Sequence, residues 1–267
     1  MDDKNWQRQT TDKPLFPELL WSRPQYTKQA GKLLIVGGSQ QNFSAVAEAY
    51  NQSAKAGIGS ARVMLPRSLQ KIVSNFFPEA IFAPATPSGS FSSSSVGEIL
   101  SEADWADAVL LAGNLGNNSE TAIAIEALMN KFDGPLIICG DTIDLLLPST
   151  KILLARNNTT LIMQFSQLQH FFTAAKYKTA ITSSLDFLQI ISILQDFTNQ
   201  NGVTLVSEFA GNIVISLKGR VSTTKAPKLP INIVSLAAYS AVWLLQNVNK
   251  PFEALSTATI EYFEIKD

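Results

Sequence analysis

Short apolar runs of strand length alternate along the chain with segments whose apolar residues recur every three or four positions. The runs are mostly apolar, which is typical of strands buried on both faces of a parallel sheet. The predicted strands are Lys32–Val36, Ala61–Leu65, Ala108–Leu111, Pro135–Cys139, Thr160–Phe165 and Val203–Val206. The sequence therefore predicts an α/β fold, a three-layer sandwich with a mostly parallel central sheet and helices on both faces.

The segment between the first two predicted strands indicates a helix that packs closely on the sheet. Small residues dominate its buried stripe, and a glycine ends it. The stripe consists of Val46, Ala49, Tyr50, Ser53, Ala54 and Gly57.

Three further segments have helical patterns. Asn118 is a capping residue followed by Ser119 and a carboxylate, which predicts a helix that continues to about Phe132. Ser183 and Asp186 have the spacing of a capping box before another helix. The run Val234–Leu245 is apolar nearly all round and predicts a buried helix.

Two further segments have the patterns of a hairpin and of a loop. Val203–Lys218 has the pattern of a hairpin that turns at Gly211 and Asn212. Pro87–Ser95 is rich in serine, glycine and proline, and we expect it to form an exposed loop.

The composition indicates one globular domain over residues 1–267, with residues 1–30 as an extension that packs on it or leads into it. Lys and Arg number 21 and Asp and Glu 22, so no charge excess favours a nucleic acid polymer as partner. The start MDDKNWQRQTTDK lacks the layout of a secretory signal, and no apolar run approaches the roughly 18 residues that span a bilayer. We therefore expect a cytoplasmic protein without a membrane segment.

The single cysteine and the single histidine limit the chemistry. Cys139 lies in an apolar run and is expected to be a buried side chain. His170 lies beside Leu168 and Phe171, which places it at the edge of an amphipathic helix. We expect no metal site, because there is no second histidine or cysteine and no carboxylate cluster with metal spacing.

Glycine-rich turns follow two predicted strands at the edge where parallel sheets bind ligands. Gly37-Gly38-Ser39 follows the first strand, and Gly113-Asn114-Leu115-Gly116 follows the third. Neither is a G-x-G-x-x-G or P-loop motif, so tight turns without a ligand explain them equally well. Asp141 and Asp144 follow the fourth strand, where they could meet a ligand or cap a helix. No G-x-S-x-G elbow is present.

The segments GKLLIVGGSQQNFSAVAEAYNQSAKAGIGSARVMLP, ADAVLLAGNLGNNSE and GPLIICGDTIDLL resemble the ADP/ATP-dependent NAD(P)H-hydrate dehydratases of the ribokinase-like superfamily. The resemblance runs from about Gly31 to Phe263 and includes the family's G-G-S turn, with partial matches to its G-P-G-L-G and D-A-D-A-L-N motifs. It implies a ribokinase-like fold, a homo-oligomer that is often a tetramer, and ADP or ATP with hydrated NAD(P)H as ligands.

The C-terminal half departs from the family's motifs at three places. The H-P-G-E turn aligns with Gln164–Gln167, where neutral amides replace a titratable pair. The nucleotide-holding K-G-x-x-T aligns with Glu208–Asn212, which places a carboxylate and a bulky ring where phosphates would bind. The G-T-G-D loop, an anion hole followed by a catalytic base, aligns with Asn232–Ser235, so Ser235 stands at the aspartate position. Serine has no basicity near neutral pH without an activating partner.

The leading hypothesis is a homologue that has lost the dehydratase reaction and keeps the fold, with a small-molecule pocket or a role as an oligomeric scaffold. The rivals are an active dehydratase with Asp141 or Asp144 as a displaced acid, a small-molecule kinase of the same superfamily, and a pure interaction protein. No residue is assigned a catalytic role. The candidate ligand-binding residues are Gly37, Gly38, Ser39, Ala45, Gly113, Asn114, Asp141, Gln164, Gln167 and Asn212.

Overall fold

The computed structural model of the chain describes residues 5–74, 77, 80–227 and 230–264; residues 1–4 and 265–267 of the predicted domain lie outside this description. The strands are β1 (Trp6–Gln9), β2 (Lys32–Gly37), β3 (Ser60–Pro66), β4 (Ile81–Ala83), β5 (Ala108–Gly113), β6 (Leu136–Cys139), β7 (Thr159–Met163), β8 (Thr204–Phe209), β9 (Asn212–Leu217) and β10 (Arg220–Lys225). They form a single sheet in the order β1-β10-β9-β8-β7-β6-β5-β2-β3-β4. Neighbouring strands are parallel except where β9 pairs with β8 and β10.

The helices cover both faces of this sheet. They are α1 (Pro17–Trp21), α2 (Ser44–Lys55), α3 (Gln70–Val73), α4 (Val96–Trp105), α5 (Ser119–Lys131), α6 (Thr142–Leu146), α7 (Thr150–Ala155), α8 (Phe165–Ala174), α9 (Phe187–Gln200), α10 (Ile233–Gln246) and α11 (Pro251–Glu264). Alternate residues of each central strand enter opposite cores, because successive side chains of a strand point to opposite faces. Leu33 and Ile35 belong to the core on the face covered by α2, α10 and α11, whereas Leu34 and Val36 belong to the core on the face covered by α4, α5 and α9. The predicted α/β sandwich is confirmed.

The N-terminal segment contributes an edge strand. β1 pairs in parallel with β10, and the side-chain amide of Gln9 donates to Thr224 Oγ1 and to the carbonyl of Ser256, both at 2.8 Å. Farther along, the Arg23 guanidinium donates to the carbonyl of Ala56 at 2.6 Å. The segment is therefore tied to the sheet and to the helix layer.

The predicted central strands correspond to β2, β3, β5, β6, β7 and β8, with ends that differ by a few residues. The prediction of Phe165 as a strand residue is wrong, because β7 ends at Met163 and Phe165 begins α8. The hairpin turn consists of Ala210 and Gly211, both with positive φ, and Asn212 begins β9. The sequence prediction missed β1, β4 and β10, which are short or polar strands at the ends of the sheet.

Three local predictions are wrong. The capping box before α9 pairs Asp186 with Gln189, so Ser183 is not the capping residue. Ala54 is exposed, because the buried stripe of α2 runs through Ala45, Val46, Ala49 and Ser53. The serine-rich segment is not an exposed loop throughout: residues 89–92 and 95 are buried, because this segment packs against neighbouring turns.

The helix predicted from Asn118 is confirmed as α5, with the Asn118 side chain accepting a hydrogen bond from the Glu120 amide at 2.8 Å. The helix predicted over Val234–Leu245 is α10, and its side chains are buried nearly all round. Within the described ranges, no helix combines the length and the apolar character that crossing a membrane requires.

Candidate functional site

The carboxyl ends of β2 and β5 approach each other closely at one edge of the sheet. A Cβ atom on Gly37 would lie 2.6 Å from the carbonyl oxygen of Gly113 and 2.7 Å from a methyl group of Val46. The amide of Gly38 donates to that same Gly113 carbonyl at 3.0 Å. Glycine is therefore required at residue 37 for the turn to bring the two strands and α2 together.

Asn114 joins three elements at this edge. It adopts a left-handed conformation with φ of 57°, which asparagine tolerates better than most residues. Its side-chain oxygen accepts from the amide of Ala45 at 2.9 Å, and its own amide donates to Asp141 Oδ1 at 2.7 Å. The turns after β2, β5 and β6 thus form one hydrogen-bonded rim.

Asp141 is an acid whose surroundings oppose ionisation. Burial raises the pKa of its carboxyl, the amide of Asn114 that donates to it lowers this pKa, and the negative charge of Asp144 raises it further. The raised pKa means that Asp141 retains its proton to a higher pH than an ordinary aspartate does.

The first turn of α8 carries the two glutamines of the candidate site. Gln167 Oε1 accepts from the amide of Gln164 at 3.2 Å, and Gln167 Nε2 donates to the carbonyl of Gly140 at 2.8 Å and to Asp144 Oδ2 at 2.7 Å. His170 is exposed on the next turn, with Nδ1 3.9 Å from Asp144 Oδ1. The glutamines thus fix the rim through hydrogen bonds to the Gly140 carbonyl and the Asp144 carboxylate.

The side chain of Asn232 satisfies two backbone donors at the amino-terminal end of α10. Asn232 Oδ1 accepts from the amides of Val234 and Ser235 at 3.0 and 3.1 Å. The Ser235 side chain is fully buried, and its hydroxyl donates to Glu48 Oε1 at 2.5 Å. The donors that the family resemblance assigns to an anion are therefore occupied by side chains of the protein.

Glu48 is the residue of this site that the sequence did not reveal. It lies on α2, and its Oε1 also accepts from Gln52 Nε2 at 3.1 Å and from Asn232 Nδ2 at 3.4 Å. The only signal in the sequence is a lone carboxylate two turns after Gly38. Its partner Ser235 is 187 positions away, so no local pattern connects the two.

The hairpin between β8 and β9 lies farther along the same edge, separated from β6 by β7 and β8. Asn212 donates from its side-chain amide to the carbonyl of Ala210 at 2.9 Å, within the turn itself. The ring of Phe209 packs on Phe165 and Phe187, with centroid distances of 4.8 and 5.9 Å. The structure therefore does not bring Asn212 together with the rim residues, and an aromatic cluster adjoins it.

The serine-rich segment forms a wall beside the first two turns. The amide of Gln40 and the hydroxyl of Ser68 both donate to the carbonyl of Gly89 at 2.9 Å. A Cβ on Gly116 would lie 2.6 Å from Ser90 Oγ. Ser39 is buried between these turns, and its amide donates to the carbonyl of Asn42 at 2.8 Å. Gly38 and Ser39 thus lie in a tightly packed turn.

Cys139 and the carboxylates offer no thiolate or metal centre in the part of the chain that the structure describes. Cys139 is fully buried beneath the rim, and burial raises the pKa of its thiol far above its ordinary value. No group of three His, Cys, Asp or Glu side chains among the described residues is placed to hold a metal ion.

Asp141→Asn is expected to flatten the dependence of stability on pH. A raised pKa in the folded state means that the native protein binds more protons than the unfolded chain, so this carboxyl lowers stability as the pH rises above about 4. The effect is expected to be small, because the side chain remains in contact with solvent. Urea unfolding between pH 4 and 7 measures it; an unchanged slope in the variant would contradict the raised pKa.

Comparisons with known proteins agree with this architecture. A ribokinase-like superfamily protein from Enterococcus faecalis has a TM-score of 0.73 at 16% identity, over 98% of this chain and 87% of its own. An ADP/ATP-dependent NAD(P)H-hydrate dehydratase from Bacillus subtilis, crystallised with ATP and Mg²⁺, has a TM-score of 0.63 at 12% identity, over 94% and 87%. The chain thus shares the α/β fold of these proteins and has a polar rim at the carboxyl edge of its sheet.

The sequence comparison finds similarity to enzymes that repair hydrated NAD(P)H. A bifunctional NAD(P)H-hydrate repair enzyme from Methanothermobacter thermautotrophicus is 28% identical over 195 residues, which are 72% of this chain. No protein-family model matches the sequence. The chain spans 24% and 34% of the lengths of the curated repair enzymes that it matches. Over the matched residues, the chain is similar in sequence to these NAD(P)H-hydrate repair enzymes.

Proposed function

We propose that this protein binds a small molecule without phosphate groups at the carboxyl edge of its sheet and does not catalyse ADP- or ATP-dependent dehydration of hydrated NAD(P)H. The observation that carries the proposal is the amino-terminal end of α10. The amides of Val234 and Ser235 bind Asn232 Oδ1, and the Ser235 hydroxyl binds the Glu48 carboxylate. Free amides at a helix start attract phosphate, whereas capped amides beside a carboxylate do not.

The hairpin that the resemblance assigns to nucleotide binding supports the same proposal. Phe209 occupies space against Phe165 and Phe187, and Glu208 adds a negative charge to this hairpin. A polyphosphate there would meet a ring and a carboxylate in place of a cation. The rim of Asn114, Asp141 and Gln167, in contrast, presents amides and carboxylates that suit a neutral or cationic ligand.

A dehydratase with rearranged residues is the second candidate, because the relatives are repair enzymes and Asp141 has a raised pKa. A kinase of the same superfamily is less well supported, since it would need the same free helix start for its phosphates. We further propose that the protein assembles as a homo-oligomer, for which the family resemblance implies a tetramer. We also propose that it resides in the cytoplasm.

The dehydratase assay tests the proposal directly. Purified protein is incubated with hydrated NADH and ADP or ATP with Mg²⁺, and the recovery of NADH absorbance is followed. We expect no recovery above the rate without protein, while an active ADP/ATP-dependent dehydratase such as the one from Bacillus subtilis serves as the positive control. Repair at a rate comparable to that control would overturn the proposal in favour of the second candidate.

Ligand binding is tested separately by a thermal-shift screen that compares nucleotides with their phosphate-free nucleosides, such as ADP with adenosine and nicotinamide mononucleotide with nicotinamide riboside. A ligand that binds only the folded protein raises the melting temperature by mass action. We expect shifts with phosphate-free compounds and none with their phosphorylated forms. Shifts only with the phosphorylated forms would contradict the proposed ligand class, and no shift at all would favour a scaffold.

A further inference from the structure

Glu48 occupies the place where α2 packs against α10. Its carboxylate accepts hydrogen bonds from Ser235 Oγ at 2.5 Å, Gln52 Nε2 at 3.1 Å and Asn232 Nδ2 at 3.4 Å, so it is held by donors from both helices. The family resemblance places a carboxylate on α10 itself, at residue 235. In this chain the Glu48 carboxylate of α2 supplies the negative charge at the start of α10.

This position gives Glu48 an electrostatic consequence. The start of a helix carries a partial positive charge that stabilises one negative group near its first turn. Glu48 is that group here, because it is bonded to the side chain of Ser235, whose amide is one of the terminal donors of α10. A phosphate in the same place would lose the attraction of the helix and would be repelled by the carboxylate.

The second oxygen of Glu48 has a different environment. In the described part of the chain, the hydrogen bonds to this carboxylate all end on Oε1, and the side chain is partly exposed. A carboxylate has about four acceptor positions on its two oxygens, so Oε2 retains its capacity to accept from a ligand.

We propose that Glu48 determines the ligand class of this cleft: its carboxylate, with the Asn232 cap, excludes phosphate groups from the start of α10 and accepts a hydrogen bond from a neutral or cationic ligand. The inference rests on the proposed function and deepens it by naming the residue responsible. It predicts that removal of the charge and of the cap converts the helix start into an anion site.

Inorganic pyrophosphate is the probe, measured by isothermal titration calorimetry against wild type, Glu48→Gln, Asn232→Gly and the double variant. Gln keeps the size of Glu, and Gly is acceptable as a helix cap at a loss of only a few tenths of a kcal/mol. We expect no detectable binding to wild type at millimolar pyrophosphate and an affinity at least about tenfold higher for the double variant. Glu98→Gln, an exposed carboxylate of α4 on the opposite face, is the matched control and is expected to behave as wild type.

The outcomes separate this inference from the proposed function. Absence of pyrophosphate binding in every variant would overturn the role of Glu48 and leave the dehydratase assay and the nucleoside screen unaffected. Equal binding by wild type and the double variant would overturn both the role of Glu48 and the phosphate-free ligand class. An equal gain in pyrophosphate affinity in the Glu98→Gln control would show that the effect comes from net charge alone and would overturn the inference. Circular dichroism checks the fold of each variant, and Glu48→Ala replaces Glu48→Gln if the latter fails to fold.

Discussion

Gly37→Ala is expected to lower the free energy of unfolding by about 3 kcal/mol. The added Cβ would lie 2.6 Å from the carbonyl oxygen of Gly113 and 2.7 Å from Val46, so relief requires movement of a strand backbone. That carbonyl also accepts from Gly38, so the movement would disturb the turn of the candidate site. Urea unfolding monitored by tryptophan fluorescence measures the loss.

Gly97→Ala is the matched control for this substitution. Gly97 lies in the first turn of α4, and a Cβ there would meet no atom within 4 Å. Alanine in a helix is expected to raise stability by up to about 1 kcal/mol, because it reduces the freedom of the unfolded chain. Equal effects of the two substitutions would contradict the close approach of β2 and β5.

Ser235→Asp is expected to destabilise the protein by about 3 kcal/mol or more at pH 7. Ser235 is fully buried and donates to Glu48 Oε1 at 2.5 Å, so an aspartate would place a second carboxylate against the first. Two carboxylates at this distance cannot both ionise, so the pair acquires a raised pKa and the loss shrinks as the pH falls toward 4.5. Restoring the family's aspartate alone is therefore not expected to restore dehydratase activity.

A double-mutant cycle tests the cause of this loss. Glu48→Gln in the Ser235→Asp background removes the repulsion and supplies an amide donor, so it is expected to recover at least half of the lost stability. Ser235→Ala, which only removes the hydroxyl, is expected to cost about 1 kcal/mol. Urea unfolding at pH 7 and pH 4.5 measures the wild type, Ser235→Asp, Glu48→Gln, the double variant and Ser235→Ala. A Ser235→Asp variant that Glu48→Gln does not rescue would contradict the contact.

The elements that the sequence predicted are those with strong local signals. The central strands are mostly apolar, and α10 is apolar nearly all round, so burial on both sides follows from the residues alone. The edge strand β1 and its neighbour β10 escaped prediction because their polar residues gain a sheet partner only in the folded chain. The serine-rich segment was misjudged for a similar reason: Gly89 and Ser90 are buried by turns from other parts of the chain.

The sequence by itself determined the α/β class and the glycine turns after β2 and β5, and it predicted departures from the motifs of the resembled family at residues 164–167, 208–212 and 232–235. Only the tertiary structure decided what replaces them. It joined Asn114 to Asp141, packed Phe209 on Phe165, and brought Glu48 to Ser235. Local patterns report the conformation and burial of one segment, whereas a hydrogen bond between α2 and α10 depends on how two helices pack on one face of the sheet.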